Sequence, residues 1–160
     1  MPGLRRVTEI EVSAPVGCEE GAVNRALHVY PARVLELAFG GASGTGEALA
    51  RLRLGRLGGL GVRALVELRT PTAHERTAPI ALRWRARRGA ALFPVMEATL
   101  RARPASAGGS VLVFSGRYLV PFGLVGIVAD QLIGARGARA TAHRFVADVA
   151  RVIDALVEVA

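Results

Sequence analysis

Histidines are the first residues in this chain that could support metal binding or acid–base catalysis. The three histidines, His28, His74 and His143, fall in different predicted elements, and no Asp, Glu or Cys lies near them at ligand spacing. The sequence therefore predicts no metal site. His143 belongs to the first turns of the last predicted helix and could reach the mouth of a pocket, but we interpret it as a surface or partly buried side chain.

One cysteine and two glycine-rich segments are the other candidates. Cys18 lies at a predicted helix start, which favours its thiolate, but Glu19 and Glu20 beside it oppose that effect. We interpret it as a small, buried or half-buried side chain, not as a nucleophile. Residues 40–46 lack the Lys-Ser/Thr of a phosphate-binding loop, and residues 55–61 lack the context of a dinucleotide site. Neither a metal nor a cofactor is expected.

All basic residues of the chain are arginine, and most of the excess positive charge lies in one region. The net charge is +8, and residues 51–103 hold 12 arginines against three acidic residues. The absence of lysine is typical of a GC-rich genome. Strand alternation places seven of these arginines on one outward face: Arg51, Arg53, Arg83, Arg85, Arg87, Arg101 and Arg103. A solvated sheet face is the preferred interpretation. An anionic membrane, nucleic acid or an acidic partner is the alternative, with no specific nucleic acid expected because few aromatics are interleaved.

Length and composition predict one folded domain over residues 1–160. The chain has 160 residues, of which 51% are hydrophobic, which is enough for its own core. The longest apolar stretch, residues 119–133, is interrupted by Pro121 and Asp130, so no transmembrane segment is expected. The first six residues lack the apolar stretch of a secretory signal, and one cysteine cannot form an internal disulfide. The predicted location is cytoplasmic.

The first part of the chain reads as one strand and two helices. Residues 5–14 alternate as a strand, with Ile10 and Val12 opposite two glutamates. A helix is predicted to run to about Val29, and Pro31 opens a second one over residues 32–38. Residues 40–46 are predicted to form a flexible connection.

The middle of the chain predicts a meandering antiparallel sheet. Alternating segments separated by glycine turns or a polar loop occur at residues 49–57, 61–69, 80–87, 92–103 and 110–118. In the clearest of these, Leu82 and Trp84 face one way while Arg83 faces the other.

A long amphipathic helix is predicted at the C-terminal end. Gly134 and Gly137 are expected to loosen the chain, and the helix is predicted over residues 138–158. Its apolar stripe consists of Phe145, Val149, Val152, Ile153 and Leu156. Burial of these side chains contributes on the order of 10 kcal/mol before conformational entropy is subtracted, so the helix must pack against the sheet.

This order of elements resembles the helix-grip fold of the START-like superfamily, which includes the Bet v 1 allergens and polyketide cyclases. The resemblance covers essentially the whole chain. It includes short motifs that are similar to an uncharacterised bacterial branch: Leu92 to Glu97, Ser115 to Tyr118, Pro121 to Gly123, and Asp130. The resemblance implies an α+β fold in which a curved antiparallel sheet wraps around the long C-terminal helix.

The resemblance also implies a pocket for a hydrophobic molecule between the sheet and the helix. The residues predicted to line it are apolar apart from the Trp84 N–H and the Tyr118 hydroxyl: Val66, Leu68, Leu82, Trp84, Met96, Leu100, Phe114, Tyr118, Phe145, Val149 and Ile153. The alternative is that these side chains simply fill the core.

Three functions follow from these expectations. The first is non-catalytic binding of a lipid, polyketide or isoprenoid-like molecule, by a monomer or a homodimer. The second is a cyclase or dehydratase acting on a polyketide-like substrate. Glu97 and Arg101 fall on the outward parity of their strand, which argues against catalysis unless a bulge turns them inward. The third is a protein–partner interaction through the arginine face.

Overall fold

The computed structural model describes residues 7–39, 43–44, 47–57, 60–69, 79–86, 95–119 and 135–159. The elements are β1 (Val7–Val16), α1 (Glu20–Val29), α2 (Pro31–Phe39), β2 (Ser43–Gly44), β3 (Glu47–Leu57), β4 (Leu60–Arg69), β5 (Ile80–Ala86), β6 (Val95–Pro104), β7 (Ser110–Leu119) and α3 (Ala135–Val159). Apart from the two-residue strand β2, each matches an element that the sequence predicts. The predicted connection over residues 40–46 contains β2, which pairs with the start of β3.

The strands form one antiparallel sheet in the order β1-β7-β6-β5-β4-β3-β2. Strands β3 to β7 pair with their sequence neighbours, as a meander requires, and β1 adds to the far side of β7. A register shift interrupts the β3–β4 ladder between Arg53 and Gly55. The β1–β7 and β6–β7 ladders continue without a shift, so inward and outward faces alternate regularly there.

The contacts of α3 show that this sheet is curved. The helix packs mainly against β1 and also against β7 and β3. Four strands separate β1 from β3, which in a flat sheet would place them about 24 Å apart at ~4.8 Å per strand. The sheet therefore bends around the helix. The central strands β5 and β6 make at most marginal contact with α3.

Alternation along β1 determines which side chains enter the core. Ile10 and Val12 are buried, whereas Glu9 and Glu11 are exposed, as the sequence predicts. Because a strand has a period of two, every second residue of β1 contributes to the face that packs on α3.

Two glycines close the tight turn between β6 and β7. Gly108 and Gly109 both have positive φ, at 91° and 72°, a region that suits glycine because it lacks a Cβ. A Cβ on Gly109 would lie 2.6 Å from the carbonyl oxygen of Val16. The turn therefore packs directly on the end of β1.

The two short helices cover part of the sheet's inner face. α1 begins at Glu20, whose charge is favourable at a helix N-terminus, and ends at Val29. Pro31 begins α2, because a proline at the first helical position loses no hydrogen bond. Val23 and Val34 are buried in the core, and α1 contacts both β6 and β7.

The final helix is longer than the sequence predicts. It begins at Ala135, so Gly137 lies inside its first turn and does not separate the helix from the preceding chain. Phe145, Val149 and Ile153 are fully buried, and Val152 and Leu156 are partly buried against the same core. The ring of Phe145 meets that of Phe114 edge to face, with centroids 5.8 Å apart and planes at 61°.

Several predicted segments lie outside the described residues: the turn at 58–59, most of the polar loop at 71–79, the start of the segment at 92–103, and the apolar segment at 123–133. None of the helices in the described part of the chain combines the length and hydropathy needed to cross a membrane.

Candidate ligand-binding cavity

Eight of the eleven predicted pocket residues have described side chains, and all eight are buried. They are Leu82, Met96, Leu100, Phe114, Tyr118, Phe145, Val149 and Ile153. The side chains of Val66, Leu68 and Trp84 lie outside the described part, although the backbone pairs Leu68 with Trp84 across β4 and β5. The eight belong to a single hydrophobic core that joins the sheet to α3.

The C-terminal end of α3 closes one end of this core. Leu112, Val149 and Ile153 have no accessible surface. Side chains packed to this degree leave no room for a ligand.

A cavity of about 830 Å³ opens on the outer side of the sheet, because most of its lining side chains have outward parity and the inward neighbours Phe114 and Leu100 do not belong to it. Its floor follows one row of cross-strand partners: Ile10 on β1, Gly116 on β7, Ala98 on β6 and Leu82 on β5. The residues on either side of each complete the sheet part of the lining: Glu9, Glu11, Ala81, Arg83, Glu97, Thr99, Ser115 and Arg117. Of the eight buried residues predicted to line a pocket, Leu82 alone contributes to this cavity.

Small residues occupy the inner side of this row on β6 and β7. Gly116 and Ala98 are direct partners, whereas the next row along the same two strands holds Phe114 and Leu100. A Cβ on Gly116 would lie 2.8 Å from the Ala98 Cβ and 3.1 Å from the Phe114 ring. Glycine is therefore required here, because the Phe114 ring occupies the space that a side chain would need.

Arg139 is the described lining residue that comes from α3. It lies seven residues before Val146 and fourteen before Ile153, and residues at this spacing share one helix face. Val146 and Ile153 are fully buried, whereas Arg139 is exposed. The core-facing stripe of the helix thus ends in an exposed arginine.

The carboxylate of Glu97 is paired on the sheet surface. Its side chain lies 3.1 Å from the guanidinium of Arg117 and 3.9 Å from that of Arg83, on the two neighbouring strands. Both arginines are more than half exposed, so each pair contributes only about 0–1 kcal/mol. Glu97 thus follows its predicted outward parity, in ladders without a bulge.

The predicted arginine face is partly neutralised by these pairs. Arg83 shares Glu97 with Arg117, Arg101 is half-buried and Arg103 is exposed. The side chains of Arg51, Arg53, Arg85 and Arg87 lie outside the described part. Binding of an acidic partner by this face stays a prediction.

Asp154 of α3 connects the helix to the end of β1. Its Oδ1 accepts a hydrogen bond from the Gly17 N–H at 2.8 Å and another from the Cys18 thiol at 3.1 Å. The hydroxyl of Ser110, which is buried, donates to the Cys18 carbonyl oxygen at 2.8 Å. Together these bonds attach α3, β1 and β7 at one point.

The Cys18 thiol is half-buried, as the sequence predicts, and its environment suppresses ionisation. Desolvation by burial, followed by the hydrogen bond and negative charge of Asp154, raises the pKa of Cys18 from 9.0 to about 11. A thiol with this pKa is a poor nucleophile at neutral pH.

Histidines contribute nothing to the cavity in the described part of the chain. His28 is half-buried on α1 and His143 is exposed on α3, while His74 lies outside the described residues. No group of three His, Cys, Asp or Glu side chains among the described residues could hold a metal ion.

Sequence reasoning identified the buried face but missed most of the cavity lining. Ala98 and Gly116 are too small to attract attention in a search for pocket residues, and their alignment depends on the register of two strands. The signal for Arg139 was available, because the spacing to Val146 and Ile153 places it on the core stripe.

Comparison with known proteins supports the fold but identifies no protein of similar sequence. The sequence matches no known protein family and no curated protein. Among solved structures, ginseng major latex-like protein 151 from Panax ginseng superposes with a TM-score of 0.59 at 10% identity, covering 93% of this chain and 96% of that one. Norcoclaurine synthase from Thalictrum flavum gives 0.57 at 14% identity, with 96% and 88% coverage.

A bacterial enzyme shares the same architecture. The Zhui aromatase/cyclase from Streptomyces sp. R1128 superposes with a TM-score of 0.55 at 17% identity, and covers 96% of this chain and 94% of that one. These likenesses span nearly the whole of each chain and match the observed order of strands and helices. The chain therefore has the α+β helix-grip fold that these solved structures share, with a curved antiparallel sheet around a long C-terminal helix.

Proposed function

We propose that this protein binds a small hydrophobic molecule, without catalysis, between the curved sheet and α3. The observation behind the proposal is the curved sheet itself, which bends around α3 and turns an apolar, buried face toward it. A lipid, polyketide or isoprenoid-like ligand suits the adjoining core, in which the described side chains are almost entirely apolar.

A cyclase-type reaction is the second candidate, favoured by the fold shared with the aromatase/cyclase and with norcoclaurine synthase. Such a reaction needs ionisable groups that are free to move protons at the substrate. Two of the arginines in the lining, Arg83 and Arg117, instead pair with Glu97 at an exposed surface. This pairing supports binding over catalysis.

Substitution of Ala98 tests the proposal. Ala98 and Ala102 lie on the same strand with inward parity and are both 7% exposed, but Ala102 pairs with Leu112 at the end of the core that is fully packed, whereas Ala98 pairs with Gly116. We expect Ala98→Val to weaken binding of the neutral dye Nile red about fivefold or more, because two added methyl groups occupy ligand space. Ala102→Val is the matched control and should leave the affinity within twofold.

Two results would contradict the proposal. One is the absence of saturable Nile red binding to the folded wild-type protein, together with no extractable ligand in native mass spectrometry. The other is an equal loss of affinity in both variants, which would place the dye away from Ala98.

A further inference from the structure

We infer that the outer face of the sheet is a self-complementary surface on which a second copy of this chain docks. Four charged residues carry the inference, one on each of four adjacent strands. They lie in one cross-strand row, in the order Glu9 on β1, Arg117 on β7, Glu97 on β6 and Arg83 on β5. The charges therefore alternate across the sheet as minus, plus, minus, plus.

This charged row lies on the face of the sheet that points away from α3. Its four positions have the parity opposite to that of the buried core side chains. Glu9, Arg117 and Arg83 are exposed, and Glu97 is half-buried between the two arginines. The next row contains three short side chains: Ser115, Thr99 and Ala81. The charged row is therefore the more prominent feature of this part of the surface.

The alternating order of the charges makes the row complementary to itself. In a two-fold dimer each copy presents the same patch to the other, rotated by 180°. Rotation about an axis through the middle of the row reverses its order, so each charge faces one of opposite sign. A row of three alternating charges would instead bring like charges together. Side chains as long as arginine and glutamate can meet across the ~10 Å that separates two packed sheets.

The two ends of the row gain the most from a partner. Within one copy, Glu97 lies 3.1 Å from Arg117 and 3.9 Å from Arg83, so one carboxylate serves two guanidinium groups. Among the described residues, Glu9 takes part in no ion pair. The rotation brings Glu9 of one copy against Arg83 of the other. The least neutralised groups of the row thus pair with each other.

Apolar surface beside the row favours the same contact. Val7 on β1 is 51% exposed, and Val95 on β6 is half-buried with outward parity. The two valines share a cross-strand row, on the side of the charged row opposite to the short side chains. The rotation places the valines of one copy over the short side chains of the other, which line the outer cavity. The valines therefore enter that cavity and lose contact with water.

Sedimentation velocity of the full chain tests for the dimer. The concentration range runs from about 10 µM to about 1 mM, because small polar interfaces associate weakly. At 0.15 M salt the repulsion between two chains of net charge +8 is screened beyond about 8 Å. We expect a reversible equilibrium between monomer and dimer.

Charge reversal at the ends of the row identifies the arrangement. Glu9→Arg and Arg83→Glu each create two like-charged contacts per dimer, so each variant alone should dimerise more than about tenfold more weakly. An equimolar mixture of the two should dimerise again, because each reversed charge then faces its opposite in the other variant. Arg25→Glu, at an exposed position on α1, changes the net charge as Arg83→Glu does and should alter dimerisation less than about twofold.

The possible results are distinct from those of the ligand-binding test. Wild-type protein that stays monomeric up to about 1 mM would overturn the inference. A dimer that neither end variant weakens, or a mixture that fails to associate, would place the contact elsewhere and would also overturn it. Equal weakening by Arg25→Glu would reduce the effect to net charge, with the same consequence. Circular dichroism of each variant verifies that the fold is intact.

Discussion

The contact between Phe114 of β7 and Phe145 of α3 offers a direct measurement of how the last helix is held. The two side chains are 0% and 1% exposed, and their rings meet edge to face at 5.8 Å. Pairs of this geometry contribute about 0.5–1.5 kcal/mol beyond the burial of each ring. Because both rings are buried, we expect their coupling energy to fall within this range.

A double-mutant cycle with Phe114→Leu and Phe145→Leu isolates that term. Leucine keeps most of the apolar bulk, so each single variant should cost less than the ~3–5 kcal/mol of truncation to alanine. The double variant should be less destabilised than the sum of the two, by about 1 kcal/mol. In urea unfolding with a slope of about 2 kcal/mol per M, that difference is about 0.5 M in the midpoint.

A control pair makes the result interpretable. Thr99 is exposed on the outward face of β6, so Thr99→Ala combined with Phe145→Leu should be additive. If the phenylalanine pair were equally additive, within about 0.3 kcal/mol, the rings would not be coupled. The contact described between α3 and the inner face of the sheet would then be incorrect at this pair of rings.

Three further predictions concern the end of β1. Because the pKa of Cys18 is raised to about 11, its reaction with a disulfide reagent at pH 8 should be about a hundredfold slower than that of an unperturbed thiol. Asp154→Asn should accelerate the reaction by removing the negative charge, and an unchanged rate would exclude Asp154 as a cause. The raised pKa also implies that the protonated Cys18 thiol stabilises the folded state. This contribution is complete below pH 9 and is lost as the pH rises through 11, and urea unfolding at a series of pH values measures the loss. Gly109→Ala should destabilise the fold more than Gly108→Ala. Both glycines have positive φ, but only at Gly109 would a Cβ lie against the Val16 carbonyl. Equal changes in the free energy of unfolding would contradict that contact.

Local patterns in the sequence were sufficient to predict most of the elements and their buried faces. The alternation of Ile10 and Val12 with glutamates, and the stripe through Phe145, Val149 and Ile153, each identify a face from a short stretch of chain. Such patterns are reliable because burial of apolar surface is a dominant favourable term in folding. The start of α3 was misplaced, because Gly137 has a low helix propensity that packing of the remaining helix outweighs.

Contacts between distant segments could not be read from those patterns. Asp154 meets Cys18 across 136 residues of sequence, and neither position has a local signal that indicates the other. The two-residue strand β2 depends likewise on its partner β3, since two residues are too few to show a period.

The sequence alone determined the order of the elements, the apolar face of each one and the outward parity of Glu97. Tertiary structure decided where the cavity lies, because the register of four strands aligns Ile10, Gly116, Ala98 and Leu82 in one row, with the outward side chains on either side of it forming the lining. Register is a property of paired strands and not of any single one.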